Sequence, residues 1–296
     1  MKKSGKIKLI YIAGTGHCGS TLLDLIIGSA PEVFSTGELG FYNIYKDNKI
    51  YNKENPDYIC TCGKDFNKCK IWQKVNTNSN FKIKKIFSLW ESLKIVLFTL
   101  FPFIPFNKNK YTDDTHNLLE KLKKVINSKK TIYFLDSSKD PRRLFYLFNN
   151  KNLEIFPIFL TREAGGVAYS YSKKENLKKG KKRKSFYLTL LKWLLVNFVT
   201  GKMLKNNPDK ILIKYKDFCE NPENYIKLIN KKLSINIPAK DFLEKVNKGT
   251  YHNIDGNVLR FNEITEIKRD NKWKTKLTKI QAIFSTIICK LYNFPQ

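Results

Sequence analysis

The stretch GTGHCGST, Gly14 to Thr21, has the G-x-x-x-x-G spacing of a phosphate-binding loop. In such a loop backbone N–H groups point at an oxyanion, and the hydroxyls of Ser20 and Thr21 add donors. Ser20 stands where a nucleotide-hydrolysing loop carries lysine, the residue that reaches the β and γ phosphates. A single phosphate at this loop is therefore expected, not triphosphate hydrolysis. A second anion site is read in REAGGVAYS, where Arg162 supplies a fixed guanidinium fork and Ser170, eight residues on, a hydroxyl. Two phosphate-binding elements imply a nucleotide phosphorylated at two positions.

These residues need strands and helices to bring them together. KIKLIYIAG reads as a buried strand and STLLDLIIGSA as the helix that follows it. EVFSTGEL gives a short strand, KTIYFLDSSKDP another, EIFPIFLTRE another, and KILIKYKDF, Lys210 to Phe218, the last. Helices are read over Ser88–Leu100, Asp113–Ile126, Arg142–Phe148, from AGGVAYSYSKK, over YLTLLKWLLVNFVTGKML with Lys192 and Asn197 facing outward, and after Asn221-Pro222. Phe41 to Asn80 reads as an insertion with little regular structure. Alternating strands and helices over residues 1–296 imply one α/β domain with a mainly parallel central sheet and helices on both faces. Ligands of such sheets bind at the carboxyl ends of the strands. That rule gathers GTGHCGST, STGEL, DSSK and TRE on one edge.

A 296-residue chain that is 42% hydrophobic can bury a large core. Its net charge of +29 suits an anionic ligand, but only six of its 55 basic residues are arginine. The lysines are scattered apart from Lys173–Lys184, which reads as a solvated loop, so nucleic acid is not expected as a partner. The apolar start is too short for a signal peptide, and IVLFTLFPFIPF, Ile95 to Phe106, is too short and proline-broken to span a bilayer. A cytoplasmic protein is expected, with that run either packed inside or lying on a membrane surface. Cys60, Cys62 and Cys69 cluster in CTCGKDFNKCKIW. Three thiols lack a fourth metal ligand, which His116 or His252 would supply only by folding back, so a local staple or free thiols are expected and zinc is not. His252 reads as an ordinary loop residue.

In the order of these motifs the sequence resembles the sulfotransferase superfamily that uses 3′-phosphoadenosine-5′-phosphosulfate, in its bacterial and Golgi-type branches. GHCGSTLLDLIIGSAPEVFSTGEL is similar to the family's 5′-phosphosulfate loop with its helix and strand, and LTREAGGVAYSYSKK to its 3′-phosphate motif. FLDSSKDPRRLFYL, ILIKYKDFCENPENYIKLI and HNIDGNVLRFNE resemble later segments, the last a C-terminal loop that folds over the cofactor. The cysteine insertion resembles one carried by bacterial members. The resemblance implies that Gly16, His17, Cys18, Gly19, Ser20, Thr21 and Leu22 bind the nucleotide, the last four holding the 5′-phosphate, that Arg162 and Ser170 hold the 3′-phosphate, and that Asn257 and Arg260 close from the C-terminal loop. His17 departs from the Arg or Lys usual at its position. Glu38 matches the region of the catalytic base, and Lys139 falls near a catalytic histidine of cytosolic relatives, where a lysine is expected to stabilise charge. Asp136 is expected to orient Lys139 or its loop.

The function implied is transfer of a sulfuryl group from that nucleotide, leaving the 3′,5′-bisphosphate, to a hydroxyl or amine of an acceptor of unknown class, with no metal. Glu38, Lys139 and His17 are the catalytic candidates. The rival readings are a P-loop kinase or NTPase and a non-catalytic nucleotide- or membrane-surface-binding module. Neither the acceptor nor the oligomeric state is legible.

Overall fold

The computed structural model describes residues 5–47, 59–83, 87–101, 114–173 and 184–292. Five strands, β1 (Ile7–Gly14), β2 (Val33–Ser35), β3 (Tyr133–Lys139), β4 (Leu153–Thr161) and β5 (Ile211–Lys214), form one parallel sheet in the order β2-β3-β1-β4-β5. The β1 sequence explains its central place. Leu9, Tyr11 and Ala13 enter one core and Ile10 and Ile12 the other, all fully buried, as a strand covered on both faces requires. Pro157 in β4 lacks an N–H, and β5 begins its pairing one residue later, at Ile158.

One face of the sheet is covered by the helices Ser20–Gly28, Pro222–Leu233 and Phe242–Lys248. The other carries Thr115–Ile126, Pro141–Phe148, Ala164–Ser172, Phe186–Leu204 and Lys279–Leu291. The same core takes in Cys60, Phe66, Cys69 and Trp72 from the insertion, which contains short helices at Tyr42–Lys46 and Lys70–Asn76 where little regular structure was expected. Aromatic packing supplies the order: Phe66 sits 5.2 Å from Trp72 and 5.9 Å from Tyr42.

Two further expectations are corrected. KILIKYKDF is strand only through Lys214; Tyr215–Glu220 is helical, and the turn brings the Tyr215 ring over Arg162 at 4.7 Å. Asn197 faces inward, fully buried, with its amide donating to the Trp193 carbonyl at 2.8 Å, while Lys192 is exposed as expected. The amide nitrogen is thus satisfied within its own helix, while Oδ1 is buried with no hydrogen-bond partner among the described residues. Lys174–Arg183, most of the basic run, and Pro102–Phe106 lie outside the described residues. In the described part of the apolar run Ile95 is buried, and upstream Leu89 and Trp90 are exposed. No helix among the described residues is long and apolar enough to cross a membrane.

Below the carboxyl edge of β3, Asp136 and Arg143 form a buried ion pair of 2.9 Å, both side chains at 1% exposure or less. Asp136 also accepts from the Ser138 amide at 2.9 Å, and Arg143 donates to Thr115 at 3.1 Å. Asp136 thus orders its loop through Ser138 and Arg143, not through Lys139. Truncating one member of a fully buried pair leaves the other charge uncompensated. Asp136→Ala is expected to destabilise the fold by about 3–5 kcal/mol in denaturant melts, whereas a change within a few tenths of a kcal/mol would mean that Arg143 finds water in the native state.

Candidate functional site

The carboxyl ends of β1, β2, β3 and β4 deliver the expected residues to one edge. β1 ends at Gly14, whose φ of 150° and close approach to β4 exclude a side chain: a Cβ there would lie 2.3 Å from the Leu160 carbonyl oxygen. The loop then turns through His17, at φ 62°, and Gly19, at φ 97°, into the helix Ser20–Gly28. Gly19 is pressed against the Tyr215 ring, which a Cβ would meet at 2.5 Å. The Cys18 thiol is fully buried and pushed up by that burial, so it is no nucleophile. Ser20 is buried, and the Thr21 hydroxyl accepts from the Asn257 amide at 3.1 Å. The His17 ring is exposed and stands edge-on to Tyr171 at 4.4 Å.

Arg162, one residue beyond β4, is fixed by the loop itself. One terminal nitrogen donates to the His17 carbonyl at 2.9 Å and the other to the Asp270 carboxylate at 3.1 Å. Trp193 holds the Arg162 carbonyl at 2.9 Å. Arg162 Nε and, in the loop, the Thr15 hydroxyl are buried with no hydrogen-bond partner among the described residues. Burial works to raise the Asp270 carboxyl, but Arg162 outweighs it and holds Asp270 below its ordinary value. Ser170 is buried within the helix Ala164–Ser172.

β3 ends in Lys139, at φ 67° and paired in register with Ala13 at the root of the phosphate loop. Its ammonium meets the Glu38 carboxylate at 2.5 Å and donates to the Ser137 carbonyl at 2.9 Å. Burial pulls the Lys139 ammonium down, yet Glu38 more than compensates and its pKa is raised, so it is charged at neutral pH. Glu38 is positioned from the C-terminal side of the chain. Its amide donates to the Ile254 carbonyl at 2.7 Å, and the Ile254 amide to the Thr36 carbonyl at 2.8 Å, a parallel bridge at Gly37.

Residues 252–262 therefore form a strap across the strand ends. Asn257 caps a 3₁₀ turn at Val258–Phe261, and Arg260, 5% exposed, donates to the Ile59 carbonyl at 3.0 Å. Asn253 donates to Asp24 at 2.7 Å, and Ser35 to the same carboxylate oxygen at 2.6 Å. Burial pushes the Asp24 carboxyl up, to about 6, against these hydrogen bonds.

All the expected loops meet on one edge. Asp24, Tyr171, Tyr215 and Asp270 join them unannounced: Asp24 and Tyr215 occupy ordinary core positions of the amphipathic pattern, and Asp270 carries no motif. His252 is also corrected. Its carbonyl accepts from Trp72 at 2.7 Å and its ring sits 3.2 Å from Cys69 Sγ, inside the cysteine insertion.

No family model and no curated protein matches the chain in sequence. Solved structures do match in shape. A sulfotransferase domain from the curacin biosynthetic pathway matches with a TM-score of 0.59 at 15% identity, over 98% of this chain and 99% of that one. The chain has the sulfotransferase fold. The sulfotransferase domain of the Synechococcus PCC 7002 olefin synthase matches at 0.53 and 13% identity, over 100% and 98% of the two chains. Sulfotransferase STF9 from Mycobacterium avium matches at 0.53 and 9%, over 99% and 78%. At such identities the shared sulfotransferase fold is a statement about the backbone, and the chemistry has to be argued from the side chains of this edge.

The buried Asp24 has a pH signature. Its folded pKa lies above the ordinary 3.8, so the stability associated with its neutral form is complete below about pH 4 and is lost as pH rises through about 6. Thermal or denaturant melts of Asp24→Asn against the parent should shift in favour of the variant by up to roughly 1.4 kcal/mol per pH unit between about pH 4 and 6 and level off above it. A difference independent of pH would show that Asp24 titrates as an exposed carboxylate does.

Proposed function

We propose that the chain is a sulfotransferase that takes its sulfuryl group from 3′-phosphoadenosine-5′-phosphosulfate and passes it to a hydroxyl or amine. The observation that carries this reading is the ammonium–carboxylate pair of Lys139 and Glu38 at the root of a phosphate loop that has no lysine of its own. The donor supplies an activated sulfuryl group on a phosphate leaving group. The loop residues Gly16 to Leu22 would hold the 5′-phosphate through amides and the hydroxyls of Ser20 and Thr21. Arg162 and Ser170 would hold the 3′-phosphate, and Asn257 and Arg260 would close from the strap. The unsatisfied Thr15 hydroxyl and Arg162 Nε suit a pocket that receives an anion.

The roles of the pair follow from charge. Lys139, held protonated, cannot accept the acceptor's proton; it can neutralise oxygens that gain charge as the bond to phosphate breaks. Glu38 is the carboxylate left to take that proton as the acceptor oxygen or nitrogen attacks sulfur in line. The exposed His17 ring can donate to the leaving phosphate from the rim of the loop.

A kinase or NTPase reading loses its best metal ligand in this geometry. Asp136, the obvious carboxylate after an apolar strand, has one oxygen on Ser138 and the other on Arg143. Thermal shift with the 3′,5′-bisphosphate against ATP plus Mg²⁺ separates the readings. The acceptor is to be sought by transfer of labelled sulfate onto carbohydrate, lipid, peptide and metabolite pools.

Arg162→Ala should weaken the 3′,5′-bisphosphate by about 2–4 kcal/mol, as expected for truncating a buried charged partner, and leave adenosine 5′-phosphosulfate almost unaffected. Equal losses for both ligands remove Arg162 from the 3′-phosphate. Asp270→Asn should act in the opposite direction, because the Asp270 carboxylate occupies the fork that the phosphate needs. A gain of up to about fivefold in bisphosphate affinity is expected, the ~1 kcal/mol of a partly exposed ion pair. Glu38→Gln should lower transfer by ~10² or more with nucleotide affinity nearly intact, whereas Lys139→Ala should damage both. Full activity in Glu38→Gln would move the base elsewhere.

A further inference from the structure

The insertion and the strap converge on a group that the proposed transfer does not use. Cys60, Cys62, Cys69 and His252 place one ligand atom each within 4.8 Å of one another. Cys69 Sγ lies 3.2 Å and Cys60 Sγ 3.9 Å from His252 Nδ1. A tetrahedral zinc with Zn–S near 2.3 Å and Zn–N near 2.1 Å has ligand–ligand edges of about 3.6–3.8 Å, so the four atoms are already gathered to within about an ångström of such a set.

The surroundings are built as metal-site surroundings are. Ile59 and Asp65 bridge an antiparallel turn in which Cys60 donates to the Lys64 carbonyl at 2.9 Å and Gly63, at φ 81°, donates back to the Cys60 carbonyl at 2.8 Å. Only a left-handed residue lets the chain reverse there and present both Cys60 and Cys62 to one point. Backbone N–H groups are aimed at the sulfurs, that of Cys62 at Cys60 and that of Trp72 at Cys69. His252 is oriented twice, by Trp72 Nε1 on its carbonyl and by parallel stacking of its ring on Phe34 at 6.3 Å. Cys60 and Cys69 are fully buried, and all four ligands come from protein, which leaves no open position for a reacting water. A disulfide would engage two of the thiols and leave the third, and the imidazole, outside the bond.

We propose that Cys60, Cys62, Cys69 and His252 bind one structural Zn²⁺ that fastens the strap to the cysteine insertion. Three soft thiolates and an imidazole in a closed tetrahedral set select zinc over the hard oxygen-seeking cations. The metal ties residue 252 to residues 60–69, and the strap continues from it as Asn253 on Asp24, Ile254 on Glu38 and Asn257 on Thr21. Zinc, disfavoured by a C-x-C spacing with only three thiols, returns because the chain does fold His252 back. This assignment does not depend on the reaction the edge performs.

The test is made on the full chain, purified without a histidine tag. Elemental analysis should find about one zinc per chain. After the metal is removed with a chelator, Co²⁺ alone should give the intense visible absorption of a tetrahedral thiolate complex, saturating at about one equivalent and displaced by Zn²⁺. Cys62→Ser and His252→Ala should lose the stoichiometric metal, and Cys219→Ser, remote from the cluster, should keep it. Hydrogen exchange should show the Glu38 and Ile254 amides protected in the zinc-loaded chain and losing that protection in the metal-free chain. Isolated protein without zinc that gives only the weak absorption of octahedral Co²⁺, or peptide mapping that finds a Cys60–Cys69 disulfide, overturns the site. Stoichiometric zinc with unchanged exchange at Glu38 and Ile254 overturns the fastening.

Discussion

One buried carboxylate oxygen holds the working edge together. Asp24, on the helix that leaves the phosphate loop, accepts from Ser35 at the end of β2 and from Asn253 on the strap. A charge-capable group in a dry interior is costly unless its partners are supplied, and here each partner belongs to a different part of the chain. The loop helix, the strand that leads to Glu38 and the segment that covers both therefore stand or fall as a unit. The parallel sheet sets the strand ends side by side; the Asp24 node sets the distances between the groups that project from them.

Charge is handled differently at two neighbouring depths. Below the edge, Asp136 and Arg143 are sealed away from water and serve architecture. At the edge, Glu38 and Lys139 retain 14% and 12% exposure and can exchange partners with a ligand. Arg162 lies between these cases: buried, but neutralised by an Asp270 that remains a third exposed. A pair with one accessible member is a site that an incoming anion can enter by displacement, at far lower cost than breaking a sealed pair.

What could be read from sequence was local. The glycine loop, its helix, the strand ends at Glu38, Lys139 and Arg162, and the alternation within β1 all follow from spacing over fewer than about ten residues. What could not be read depends on which distant segment arrives. The amphipathic pattern marks Tyr215 as inward whether its backbone is strand or helix, and only contact with Gly19 and Arg162 decides. Asn197 has the chemistry of a surface residue, yet its helix turns it into the core, where only its amide nitrogen finds a partner, the Trp193 carbonyl. His252 and the cysteines are 183 residues apart at their nearest, and no periodicity reports a meeting at that range.

The strap has a consequence for how the protein comes to exist in a cell. A ribosome delivers the phosphate loop first, the strands β3 and β4 that flank β1 more than a hundred residues later, and residues 252–270 after all five strands. Domains form as their segments emerge, so a sheet with a glycine loop but no cover, and with Glu38 lacking its Ile254 partner, is an obligatory stage of synthesis. The nascent chain thus passes through a state that has the phosphate loop and no closed site. Completion of the edge is reserved for the segment that is translated after the sheet is already in place.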